Sequence, residues 1–213
     1  MGIQDKGAFG GFRNKTGPLV GHIVNGQNVI TSVPAKSSKP PTQKQLDQRK
    51  KFGLVTSFLS WMSGLIDTGF QEREQRQSPM NKAVQYNLLN AVSGLSPDYA
   101  IDLTKLKFSV GKCPLPSNMS AQGIVGAKIN FIWGISYQSK YGKDTDLVNL
   151  MVYNAEKDQF VILENAAGRT ELGFALQLPA DFVGDTVHCY LNFVSATGHV
   201  TSNSEYLGEL IVA

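Results

Sequence analysis

Cysteine is scarce in this 213-residue chain. Two residues, Cys113 and Cys189, cannot build a disulfide scaffold or a cysteine-rich zinc site. Charge is thin as well: 17% of residues are Asp, Glu, Lys or Arg, against about 25% in an average globular domain. No apolar run approaches the ~18 residues of a membrane-crossing helix, which excludes a helical membrane protein. The start, MGIQDKGAFGGFRNKTG, has no apolar stretch, so no secretory signal peptide is expected. Lys6 stands where N-myristoylation wants Ser or Thr. These absences predict a protein made in the cytoplasm, with no membrane partner, that can still end in a virion or an extracellular assembly.

Motifs that would carry a reaction are also missing. GAFGGF has glycines but neither the following Lys-Ser/Thr nor the helix that would cradle a phosphate, so no cofactor is expected. His22, His188 and His199 have no second ligand at metal spacing; His188 and Cys189 are neighbours that point to opposite faces of a strand. Asp144-Thr145-Asp146 lacks the third acid and the glycine of a calcium loop and reads as a polar turn. No acid pair comes with a neighbouring base. Cys113 reads as a loop thiol and Cys189 as a small buried hydrophobe. No catalytic, cofactor or metal residue is designated, and the chain reads as a non-enzyme.

What is present is unevenly placed. Through Lys51 there are nine cations against Asp5 and Asp47, a net +7, which leaves −4 for the rest. A basic front and an acidic back suit an arm that seeks a negative surface. Residues 1–41 hold a glycine-rich arm with Phe9 and Phe12 and no strand or helix period, then a hairpin, LVGHIV and NVITSV about Asn25-Gly26. Pro34, Pro40 and Pro41 make the remainder a linker. Residues 42–98 read as two amphipathic helices. The first starts at Thr42 with Gln45 three residues on and runs on Leu54, Val55, Phe58, Leu59, Met62 and Leu65. The second is capped by Ser78, opens with Pro79 and closes at Gly94.

Residues 99–213 predict seven short strands: 103–110, 127–136, 146–154, 159–165, 171–178, 186–195 and 204–213. Ile129, Phe131 and Trp133 alternate onto one face, as do Val187, Cys189, Leu191 and Phe193. The fold class expected is α+β, mostly β, ending in an immunoglobulin/fibronectin-like antiparallel sandwich.

The strings GAFGGFRNKTGPLVGHIVNGQNVITSVP, PPTQKQLDQRKKF, NKAVQYNLLNAVSG and YLNFVSATGHVTSNSEYLGEL together resemble an uncharacterised family of Bacteroidota, a domain of unknown function. The Pro41-Thr42…Gln45…Arg49…Phe52 start is similar, over a shorter stretch, to phage and prophage structural proteins. The family implies no catalytic residues. Together these features predict a non-catalytic structural subunit that assembles with copies of itself, or with other virion or assembly proteins. Its contacts would run through Phe9, Phe12, Arg13, Lys15, Val20, Ile23, Val29 and Ile30. A nucleic-acid-associated protein is the second reading, with Lys36, Lys39, Arg49, Lys50 and Lys51 on phosphates. A carbohydrate- or protein-binding module is the third, through Tyr137 and Tyr141; Trp61 fits a helix core better.

Overall fold

The computed structural model describes residues 3–4, 10–24, 26–35, 38–71, 77–135 and 139–213. The chain divides into two compact units, residues 1–43 and residues 44–213.

In the first unit, β1 (Ile3–Gln4), β2 (Phe12–Thr16), β3 (Leu19–Val24) and β4 (Gln27–Ser32) form one antiparallel sheet in that order. The β3–β4 hairpin is the expected one, with Gly26 at a positive φ of 79° where glycine is favoured. Asn25 lies outside the described residues. The arm departs from expectation, because parts of it are strand: β1 pairs β2, and β2 pairs β3. Gly21 makes this possible. A Cβ there would lie 1.9 Å from the Phe12 carbonyl oxygen, so only glycine lets β2 approach.

The second unit holds three layers. Helices α1 (Gln43–Ser60), α2 (Ser63–Gly69) and α3 (Pro79–Asn90) make the first. The first helix, expected to run from Thr42 and to close at Gly64 or Gly69, is thus broken at Trp61-Met62. Ser78 caps α3 as predicted, its side chain accepting from the Asn81 N–H at 3.2 Å, with Pro79 in the first turn. Gly94 does not close that helix. It sits instead, at φ 90°, in the hairpin of β5 (Val92–Leu95) and β6 (Asp98–Ile101).

The other two layers are antiparallel sheets. One is built from β7 (Ser120–Ile124), β8 (Lys128–Ile132) and β11 (Gly173–Gln177), in the order β11-β8-β7. The second joins β9 (Leu147–Asn154), β10 (Gln159–Gly168), β12 (Thr186–Val194) and β13 (Glu205–Ile211), in the order β10-β9-β12-β13. Between the sheets lies an apolar core. Ile129, Phe131 and Trp133 come from one side, Val187, Cys189, Leu191 and Phe193 from the other, all as their alternation predicts. The far face of the four-stranded sheet is covered by the helices: Val55, Leu59, Leu65 and Ile66 pack with Met151, Tyr190, Leu106 and Phe108. Being buried on both faces explains why β9 reads as a nearly unbroken apolar run. The fold is α+β and mostly β.

Residues 103–110 are not the strand their pattern suggests. Leu106 and Phe108 are fully buried under the helices, and side chains take up the backbone groups. Asn87 brackets Lys107, accepting from its N–H at 3.0 Å and donating to its carbonyl at 2.7 Å. The Ser204 hydroxyl accepts from Phe108 N–H at 3.1 Å, and Ser109 Oγ lies 2.8 Å from Thr201 Oγ1. Gly69 gives the segment room: a Cβ there would meet the Phe108 carbonyl at 2.3 Å. Thr201, Ser202 and Ser204 therefore work as a buried polar clasp, which satisfies backbone groups that would be costly to leave unpaired.

Candidate functional site

Among the described residues of the N-terminal sheet, only Gly21 is buried. Strand register puts Leu19, Gly21 and Ile23 on one face with Ile30, which is paired to Gly21. On that face Leu19, Ile23 and Ile30 are 41%, 53% and 50% exposed. The Phe12 ring reaches the same spot, 2.8 Å from where a Gly21 Cβ would stand. Val20 and Val29 are half-buried on the opposite face, and Arg13 and Lys15 are exposed on β2. Phe9 lies outside the described residues. A sheet this small with apolar side chains on both faces has no core of its own.

Lys36 lies outside the described residues, and Lys39 precedes α1. Arg49 and Lys50 are exposed on α1, whereas Lys51 is half-buried with its Nζ 4.6 Å above the Tyr99 ring. Arg49 lines a shallow hollow of about 430 Å³ with Gln45, Gln48, Phe52 and Gly53.

Trp61 is not in the helical core. It sits at the α1–α2 break and is 68% exposed. With Phe160, Ile162, Pro179 and Phe182 it walls a groove of about 610 Å³ whose floor is the run Asp158–Ile162. That run includes the start of β10, the outermost strand of its sheet, which pairs with β9 alone among the described residues. The rim is charged. Lys157 Nζ is 2.5 Å from Asp185 Oδ2 and 3.8 Å from Asp181 Oδ2, and Tyr153 donates to Asp158 at 3.0 Å. The hydrogen bond from Lys157 holds the Asp185 carboxyl below the usual carboxylate range. Tyr141, 40% exposed, is remote from this groove in the chain, and Tyr137 lies outside the described residues.

Cys113 is no exposed loop thiol. Arg169 Nη2 donates to its sulfur at 3.1 Å and to the Pro114 carbonyl at 2.9 Å, and stands 3.3 Å from Asp146 Oδ2. Asp146, Arg169 and Cys113 are each under 5% exposed. Asp146 also accepts from Lys143 N–H at 2.9 Å, and the Arg169 guanidinium lies 4.4 Å from the Phe193 ring centre. Burial pushes the Cys113 thiol up to about 12, against the pull of Arg169. It is a neutral thiol at physiological pH and a poor nucleophile. Cys189 is pushed up to about 12 by burial alone, and both cysteines are free. The three residues are far apart in sequence, so no local motif could have announced their meeting.

His188 joins a row of rings across the sheet. Tyr153 stacks on Phe160 at 4.5 Å, and His188 lies between Tyr153 and Tyr206, its Nδ1 3.0 Å from the Tyr206 hydroxyl. Burial lowers its pKa. Among the described residues no group of His, Cys, Asp and Glu could hold a metal ion, and no helix is long and apolar enough to cross a membrane.

No curated protein matches the chain. One family model matches residues 11–208, which include β2 to β12, the clasp and most of both cores, and the chain therefore belongs to DUF6266, a family of unknown function.

Proposed function

We propose that this protein is a non-catalytic structural subunit that assembles with copies of itself through its N-terminal sheet, in a virion-like or other extracellular filament or shell. One observation carries the reading: the four-stranded sheet presents Leu19, Ile23 and Ile30 to solvent and, among its described residues, buries no side chain of its own. Strands with an apolar face become stable when that face is covered. Arg13 and Lys15 on β2, with no acid over residues 10–35, favour an acidic partner surface. The second unit supplies a rigid body: two apolar cores and a closed Cys113–Asp146–Arg169 cluster support a frame rather than a reaction centre. Its three-plus-four strand arrangement supports the immunoglobulin/fibronectin-like reading.

Light scattering on the full chain after size exclusion tests this. The wild type is expected to elute as an oligomer, and Ile23→Lys with Ile30→Lys as a monomer. A wild type that stays monomeric at high concentration refutes the proposal.

A further inference from the structure

We propose that the groove along β10 is the acceptor site for assembly, and that its occupant is β4 of a second copy, added as a strand to the free sheet edge. This rests on the assembly reading above and names the surface that the N-terminal sheet engages.

Four features make the two surfaces complementary. The first is the backbone: β10 is paired on one side only among the described residues, so a row of N–H and C=O groups over 159–163 is open to a new strand. β4 is likewise the outermost strand of its sheet, paired with β3 alone among the described residues. Length comes next. β4 has six residues, so at about 3.4 Å per residue it spans ~20 Å, close to the ~17 Å of the open run.

The third is side-chain chemistry. A strand added to β10 presents side chains to both faces of the sheet. The groove is apolar on both: Trp61 belongs to the helical layer, while Phe182 belongs to the core between the sheets. β4 carries a half-buried Val29 on one face and an exposed Ile30 on the other, so an added β4 would offer an apolar side chain to each face of the sheet. The fourth is charge. Glu156, Asp158, Asp181 and Asp185 surround the groove's end with Lys157 as the one cation of that set, and Arg13 and Lys15 lie on the sheet that brings β4. The arrangement is head-to-tail, since the donor strand and the acceptor groove are different surfaces; such contacts generate rings or filaments.

Tryptophan emission and light scattering on the full chain, over a concentration series, test the proposal. Trp133 is fully buried and gives a constant background, so a change in emission maximum reports Trp61. On dilution the oligomer is expected to dissociate, with a red shift that Trp61→Phe abolishes. Trp61→Arg, an exposed position that leaves both cores intact, is expected to weaken association by about ten-fold or more, as is Asp158→Lys with Asp181→Lys. If the Ile23→Lys, Ile30→Lys chain is monomeric while the groove variants associate like wild type, the groove is overturned and the assembly reading stands. If wild type never associates, both fall. A Trp61 emission change that is independent of concentration also overturns docking by a second copy.

Discussion

Replacing Asp146 by Asn keeps the side chain's size and removes its charge. The Arg169 guanidinium, 4% exposed at its side chain, then loses the carboxylate 3.3 Å away while remaining buried beneath Phe193 and Cys113. Breaking one partner of a buried pair in this way costs about 3–5 kcal/mol. For a chain of this size each kcal/mol moves Tm by about 2–4 °C, so Asp146→Asn is expected to melt roughly 6–20 °C below wild type. Scanning calorimetry or circular dichroism reads it. The double substitution Asp146→Asn, Arg169→Met removes the stranded charge and is expected to cost less than the two single changes added together. High salt should leave the wild-type Tm contribution of this pair in place, because buried charges are poorly screened. A single-substitution drop under about 2 °C, or strictly additive single effects, would refute the idea that Asp146 and Arg169 act as one coupled buried pair.

Four further outcomes follow from the same geometry. Cys113 and Cys189 should resist a thiol reagent at pH 8 in the native protein and both react after denaturation, since burial pushes each up to about 12. A thiol whose pKa is raised on folding stabilises below its unfolded value and loses that contribution as pH rises toward the folded one. Tm should therefore fall above pH ~9, and Cys113→Ala with Cys189→Ala should flatten the fall, measured by melting at stepped pH. His188 has the opposite sign: burial lowers its pKa, so its contribution is complete above ~6.5 and lost as pH falls below that, a slope that His188→Gln should reduce. Gly21→Val should disrupt β2–β3 pairing through the clash with the Phe12 carbonyl, and the loss should appear as a monomer in light scattering with the main melting transition unchanged.

Sequence by itself determined the elements whose pattern is local. Asn25-Gly26 between β-branched runs specified the hairpin, Ser78-Pro79 set the start of α3, and the period-two rows at Ile129 and Val187 named the inward faces. Local rules sufficed there because turn geometry, capping and alternation act within a few residues. Trp61, expected in the helix core, is exposed instead: it lies about 120° around the helix from Val55, and the chain breaks at Trp61-Met62.

Only the tertiary structure decided what residues 103–110 and Cys113 became. The first has a strand's composition, but Asn87 and Ser204 supply its hydrogen bonds from elements 20 and 96 residues away. The second reads as an open loop, yet Arg169, 56 positions on, meets its sulfur in a closed interior. The open edge of β10 likewise exists only once β9 has taken its other side. Hydrogen bonding, desolvation and strand order depend on which distant segments share a neighbourhood, and no spacing within the chain encodes that before it folds.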